Sequence, residues 1–364
     1  MNLKRFIALT VLIALGAVAA ATTMAQNRNG EQAQNGERPK PSRNTVMFYN
    51  VENVFDTIPD PDTDDTEFIP DGNKRWNSHK YGVKMANLEK VFFGVAAAVK
   101  DFPTVIGLSE IENRSVVEDM AALERLAPAR YRIVHFDSPD LRGVDVGFMY
   151  RADRFTLEGS ETHAVVMPDM PDWRTRDIVA MWGTMEGEPF YFMVCHWPSR
   201  NGGQAASAPR RERAAEVARG VIDSLHRLDP AIKVMIMGDL NDDPTDPSVE
   251  EVLGGKGRTR DLVAGDMFNP YYEVFRSGQG TLAYRDGWNL FDNIVVSENL
   301  VNAPEDSWRL TKMDGNRFCG NIFRASWLFQ KEGQFKGYPL RTYVGNNFQS
   351  GYSDHLPVYV VIEK

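Results

Sequence analysis

Several apolar runs in this sequence end in residues that can hold a cation or move a proton. They are Phe48-Tyr49-Asn50-Val51-Glu52, Ile106-Gly107-Leu108-Ser109-Glu110, Val194-Cys195-His196, Ile236-Met237-Gly238-Asp239-Leu240-Asn241, Phe291-Asp292-Asn293 and Tyr352-Ser353-Asp354-His355-Leu356-Pro357. Carboxylate and amide oxygens without thiolates suit a hard divalent ion, Mg²⁺ first, with Mn²⁺ or Ca²⁺ as alternatives. Histidines beside carboxylates suit general acid–base work. Asn50 and Glu52 are two apart, as are Asp239 and Asn241, so each pair is expected on one side of an extended chain. Taken singly, each run also reads as a cap: Gly-Asp-Leu-Asn closes a strand into a turn, and Ser-Asp-His starts a helix or turn. Their order carries the chemistry: Asn-x-Glu, Glu, His, Asp-x-Asn, Asp and Asp-His, spread across nearly the whole chain.

The elements that must position these residues are legible. Thr45 to Tyr49, Thr104 to Leu108, Tyr131 to Phe136, Val144 to Tyr150, Phe190 to Cys195, Lys233 to Met237, Phe291 to Val296 and Val358 to Ile362 are rich in β-branched and aromatic residues, as strands are. Helical patterns cover Tyr81 to Lys100, Ser115 to Leu126 and Pro209 to Leu228. In the last of these, Ala214, Val217, Val221, Leu225 and Leu228 have the spacing of one buried face. Many strands with few helices predict two sheets packed face to face with helices outside. Two stretches read as insertions. Asp56 to Asn77 is acidic and Pro-rich, and Asp60, Asp62 and Asp64 open like a calcium loop. Its sixth position is Asp65 rather than Gly and its twelfth Asp71 rather than Glu, so a solvated acidic loop is the better reading. Phe318 to Gln349 is aromatic- and Gly-rich, and its place before the last motif lets it overhang the site.

From Asn44 to Lys364 this order resembles the endonuclease/exonuclease/phosphatase superfamily, which includes deoxyribonucleases, abasic-site endonucleases, inositol-polyphosphate phosphatases and bacterial sphingomyelinases. The linked pair Gly-Asp-Leu-Asn and Ser-Asp-His-Leu-Pro is specific to it. The resemblance implies a four-layer α/β sandwich: two mixed β-sheets face to face, flanked by helices, with the active site at one edge. It implies that Asn50, Glu52, Glu110 and Asp354 serve the metal. By the same resemblance Asp239 is the base or water-orienting residue, His355 being the alternative base, with Asn241 on the same water or a phosphate oxygen. His355 then donates to the phosphate with Asp292 behind it, and His196 lies near the phosphate. Arg142, in Leu141-Arg142-Gly143-Val144-Asp145-Val146, matches a stretch that presents a polar side chain to the scissile phosphate in some relatives, and Asp145 supports that loop. Arg200, beside Gly202 and Gly203, is a second expected phosphate ligand through its planar fork of donors. Pairing with a nearby carboxylate is its competing reading.

Composition narrows the substrate. The chain has 364 residues, 43% hydrophobic and 25% charged, which excludes a fibrous or wholly disordered protein. Lys4 and Arg5 precede an apolar run from Phe6 to Ala21 and the small residues around Ala25, the pattern of a secretory signal peptide over residues 1–25. A polar tether is expected over 26–43 and a catalytic domain over 44–364, exported to the periplasm or medium with no membrane span in the mature chain. Losing Lys4 and Arg5 takes the net charge from −9 to −11. The leading reading is a metal-dependent phosphodiesterase, most plausibly a nuclease on DNA or RNA, with no obligate protein partner. The alternative is a phosphatase or sphingomyelinase-like phospholipase on a small phosphorylated ligand or lipid head group. The acidic charge and lack of a basic tract weigh against the nuclease. A binding protein on the same scaffold comes third, because a site without chemistry has no need of these residues. Cys195 and Cys319 are open to a disulfide or to two free thiols.

Overall fold

A computed structural model describes residues 42–61 and 63–364. The expected signal peptide, all but the last two residues of the tether, and Asp62 lie outside the described residues. Strands form where β-branched and aromatic residues cluster: β1 (Arg43–Val54), β2 (Val105–Ile111), β3 (Tyr131–His135), β4 (Asp145–Arg151), β5 (Thr156–His163), β6 (Ile178–Met185), β7 (Glu188–His196) and β8 (Lys233–Asp239). Short strands β9 (Gly255–Lys256), β10 (Met267–Phe268), β11 (Leu282–Tyr284) and β12 (Gly287–Asn289) precede β13 (Asp292–Ser297). Then come β14 (Arg309–Thr311), β15 (Asn321–Ile322), β16 (Tyr343–Val344), β17 (Asn347–Phe348) and β18 (Val358–Glu363). The helices are α1 (Ser78–Val99), α2 (Arg114–Ala122), α3 (Gln204–Leu228) and α4 (Tyr272–Arg276). Asn77 and Asn113 cap α1 and α2, each side chain accepting a first-turn amide. Among the described residues no helix is long and apolar enough to cross a membrane.

One mixed sheet runs β14-β18-β1-β2-β4-β3, with β15 also on β18; the other runs β5-β6-β7-β8-β13-β10-β9. Their inner faces meet in a core that includes Val46, Phe48, Phe148, Phe192, Met237, Ile294 and Val360. The odd residues of β1, Met47, Tyr49 and Val51, face instead the layer holding α1 and α2. Residues of α3 pack on the outer face of the second sheet. Each fully buried aliphatic or aromatic side chain contributes roughly 1.5–3 kcal/mol. The expected sandwich is therefore present, and the eight expected strands and three expected helices all form.

Two details differ from expectation, and one open question closes. Strands β5 and β6 were not legible. Strand β5 is a polar edge, Thr-Leu-Glu-Gly-Ser-Glu-Thr-His, and β6 is apolar throughout because both its faces are covered. Helix α3 buries Arg211, Ala214, Ala215, Ala218 and Ile222, while Leu228 is 82% exposed. The small alanines face the sheet because they allow close approach, and the larger valines flank them. Cys195, buried on β7, and Cys319 are both free thiols.

The two insertions meet each other. Trp76 from the first packs against Tyr343 and Phe348 from the second, with ring centroids 6.1 and 6.4 Å apart. With Phe55, Phe68 and Val144 they form a small apolar cluster of their own. The sheet beneath is equally tight. Gly238 lies opposite Cys195, and a Cβ there would sit 2.2 Å from the Cys195 carbonyl oxygen. Gly238→Ala is expected to cost roughly 1–3 kcal/mol through overpacking. Chemical denaturation checks this, and an unchanged midpoint would refute the tight contact.

Candidate active site

Sheet register brings the motif residues together. Parallel pairing of β7 and β8 sets His196 beside Asp239, and antiparallel pairing of β8 and β13 sets Asp239 beside Asp292. Three adjacent strands of one sheet thus present His196, Asp239 and Asp292 in a row. From the other sheet, Asn50 Nδ2 donates to Asp239 Oδ2 at 3.0 Å. His355, just before β18, places Nδ1 2.8 Å from Asp292 Oδ2 and Nε2 3.7 Å from Asp239 Oδ2. His196 Nε2 lies 3.5 Å from the same Asp239 oxygen.

The backbone is bent at these strand ends. Glu52, Asn53, Glu110 and Asn241 have φ of 54°, 48°, 62° and 50°, left-handed values uncommon outside glycine. The bend breaks the alternation expected of extended chain. Asn50 reaches across to Asp239, whereas Glu52 turns to the second insertion. Asn241 braces rather than aims: its backbone N–H donates to Asp239 Oδ1 at 3.0 Å, and its Nδ2 donates to the Trp197 carbonyl at 2.9 Å.

Burial separates the protonation states. Burial, with repulsion from Asp292, pushes Asp239 up to about 6, against the pull of His355 and the bonds from Asn241 and Asn50. Burial opposes charge on His355, but attraction from Asp292 and Asp239 outweighs it and holds the pKa well above the ordinary value. His196 goes the other way. Burial, then Arg176, Arg142 and His355, hold it well below, so it is a neutral imidazole. Two histidines on either side of one carboxylate therefore differ in charge, which separates their roles.

The acidic side has a different partner set. Glu110 Oε2 accepts from the Asn53 amide at 2.9 Å, while its Oε1 has only the Arg142 Nη2 at 3.9 Å. Asp354 Oδ2 accepts from Arg341 Nη2 at 2.8 Å. The carboxylate oxygens of Glu110 and Asp354, with the Asn50 amide nearby on β1, are the donor chemistry a hard divalent cation requires, so these residues fit the expected metal. Glu52 departs from expectation. Its oxygens accept from the Thr342 amide at 2.6 Å and from Arg341 Nε at 3.4 Å, so it anchors the second insertion and is no open metal ligand. Burial and repulsion from Asp354 push it up to about 7. Below, the buried Lys84 donates to Thr342 Oγ1 and to the Tyr352 carbonyl, both at 2.6 Å. Two triads of potential ligand atoms also lie within 4.8 Å: Asp239, Asp292 and His355, and His135, Asp137 and Asp145. In the second, Asp145 binds His135 at 3.0 Å and accepts the Ser138 amide, which braces the loop carrying Arg142 as expected.

Arg142 is half exposed, with Nη2 donating to Asn53 Oδ1 at 2.7 Å. It lines a cavity of about 420 Å³ together with Glu52, Phe68, Lys74, Arg341 and Tyr343. Arg200 corrects the expectation of a phosphate ligand. Its Nη2 lies 3.1, 3.4 and 2.7 Å from Asp242, Asp243 and Asp246, and its Nε donates to the Asn241 carbonyl. Three carboxylates just after Gly-Asp-Leu-Asn outcompete an incoming anion. Lys84, Arg341 and Thr342 were missed. Lys84 leaves a trace in the sequence, a lysine within the apolar stripe of α1, but the loop residues leave none.

The profile described as "Endonuclease/Exonuclease/phosphatase family" matches residues 45–364. No curated protein matches the sequence. Among solved structures, a humanized Danio rerio TDP2 is similar at 14% identity and a TM-score of 0.52, over 88% of this chain and 99% of that one. An endonuclease/exonuclease/phosphatase family protein from Bacteroides thetaiotaomicron is similar at 18% identity and a TM-score of 0.52, over 89% and 96%. A mannosyl-6-phosphatase from the same species is similar at 17% identity and a TM-score of 0.50, over 88% and 99%.

Two outcomes follow from the geometry. Arg200→Ala should lower stability by roughly 1–3 kcal/mol while changing KM less than twofold, because it removes a donor from a partly buried acidic cluster. A large rise in KM with unchanged stability would return Arg200 to the substrate. His355 has its pKa raised in the folded state, so its pairing with Asp292 stabilises fully below the ordinary value of 6.5. That stabilisation falls away as pH rises through the folded pKa. The unfolding free-energy gap between the native chain and Asp292→Asn should therefore be widest below pH 6.5 and narrow as pH rises through the folded pKa. No excess of native stability over the variant below pH 6.5, in urea titrations, would exclude the charged pair.

Proposed function

The chain belongs to the endonuclease/exonuclease/phosphatase family of metal-dependent phosphoesterases, and from that premise we propose an exported phosphodiesterase that cleaves nucleic acid. The observation that carries diester hydrolysis is the buried set Asp239, His355 and Asp292, with two histidines of opposite protonation beside one carboxylate. Asp239 orients the attacking water and takes its proton. His355, charged and steadied by Asp292, donates from Nε2 to a non-bridging phosphate oxygen. Neutral His196 and the half-exposed Arg142 bind the remaining oxygens, and Asn50 and Asn241 hold the Asp239 carboxylate in place. Glu110 and Asp354 would hold the divalent ion, Mg²⁺ by its oxygen donors, which polarises the phosphate and stabilises the leaving oxygen. The basic-then-apolar N-terminal segment supports export.

A second reading, a small phosphorylated ligand, is favoured by the 420 Å³ cavity walled by both insertions, which suits a compact polar group better than a duplex. The net charge of −9 supports the same reading.

Hydrolysis of plasmid DNA, bis-p-nitrophenyl phosphate and p-nitrophenyl phosphate with Mg²⁺, Mn²⁺ or EDTA tests both. Asp239→Ala and His355→Ala should each lower kcat/KM for the diester by roughly 10²–10⁴, and EDTA should abolish it. DNA cleavage that falls steeply with salt would support the nuclease. Turnover of the small esters with intact plasmid would move the substrate to the compact class, and full activity of Asp239→Ala would overturn the assignment.

A further inference from the structure

Arg341 stands where the acidic cluster should be most open. Its Nη2 donates to Asp354 Oδ2 at 2.8 Å and its Nε to Glu52 Oε1 at 3.4 Å, so one guanidinium bridges the two carboxylates. Asp354, then Glu52 and Glu110, attract that charge. The arginine is held in place from both sides. The next residue, Thr342, gives its backbone N–H to the other Glu52 oxygen at 2.6 Å, and its hydroxyl oxygen accepts from the buried Lys84 ammonium at 2.6 Å. Tyr343, one residue further, is locked into the aromatic cluster between the insertions. Gly351 closes the same corner, where a Cβ would lie 2.0 Å from the Arg341 carbonyl oxygen.

Charge counting separates the two halves of the cluster. Glu52 and Asp354 face Arg341, with Lys84 behind them, so that half is already neutralised. Among the described residues Glu110 keeps one carboxylate oxygen with no hydrogen-bond donor, the half-exposed Arg142 lying 3.9 Å from it. A divalent ion placed between Glu52 and Asp354 would have to displace the half-exposed guanidinium that pairs with both, or sit against its like charge. An ion at Glu110 would face the half-exposed Arg142, which lies 3.9 Å from one carboxylate oxygen and donates to Asn53 Oδ1.

We propose that Arg341 is a built-in substitute for a second divalent cation between Glu52 and Asp354, so that the site takes a single ion, at Glu110. The guanidinium also lines the 420 Å³ cavity beside Arg142, which puts a permanent positive charge where a second ion would otherwise meet the substrate phosphate. The inference rests on the metal-dependent reading above, but its readout is metal stoichiometry.

Calorimetry and Mn²⁺ electron paramagnetic resonance on the purified chain test it, with Mn²⁺ as the probe. The native chain should bind one ion, with no Mn–Mn coupling. Arg341→Gln should bind a second ion with a coupled spectrum. Arg341→Lys, which keeps the charge, should still bind one. Adding Glu52→Gln to Arg341→Gln should return the count to one, an outcome that misfolding of the single variant would not mimic. Near-UV circular dichroism confirms that each variant is folded. Two ions in the native chain overturn the proposal, and so does one ion in a folded Arg341→Gln. No bound ion in the native chain, together with activity in EDTA, would instead sink the metal-dependent reading, a result distinct from either.

Discussion

A 3.0 Å hydrogen bond from the Asn50 amide to the Asp239 carboxylate joins the two sheets at the edge where His196, Asp292 and His355 also lie. It can form only if β1 of one sheet and β8 of the other end at the same height across the shared core. That height is set by the interleaving of Val46 and Phe48 with Met237 and Ile294. In a closely packed interior a shift of an ångström on either sheet would separate the amide from the carboxylate. The core therefore does more than stabilise the fold: it determines the distance between the Asn50 amide and the Asp239 carboxylate.

Around that bond the site divides by charge. On the side of the second sheet, Asp292 keeps His355 protonated while burial and neighbouring arginines keep His196 neutral. On the side of the first sheet, the bent strand ends at Glu52 and Glu110 direct one carboxylate to the second insertion and leave the other beside the Asn53 amide and Arg142. The left-handed backbone at these residues costs free energy of order 1–3 kcal/mol each, which the surrounding pairing offsets. Such strain collects where carboxylates must be aimed rather than merely placed.

The two insertions, alike in that neither belongs to the sandwich, act together. Their aromatic residues pack on each other, and their polar residues wall the cavity that Glu52 and Arg142 also line. The scaffold supplies the reaction centre, and the insertions supply the surroundings that a substrate must enter. An acidic chain with a compact, mixed-charge cavity is shaped differently from a long basic groove, which is the physical reason that a small phosphoester stands beside nucleic acid as a substrate class.

Much of this was written in the linear order of residues. The strand-ending motifs Asn50-x-Glu52, Glu110, His196, Asp239-x-Asn241, Asp292 and Asp354-His355 marked residues that the sheets bring to one edge, because apolar β-rich runs that end in polar groups announce buried strands whose ends need partners. The sandwich followed from the same alternation. Sequence did not reveal that Glu52 would turn away from Asn50, since spacing predicts direction only while the backbone stays extended. Nor did it reveal that Arg200 would be captured by Asp242, Asp243 and Asp246, although that competing reading was open. Arg341 and Thr342 lay silent in a loop without periodicity. Their role depends on which charges lie nearest in space, some 290 residues away in the chain, and such electrostatic neighbours exist only after the sheets have packed and the insertions have closed over them.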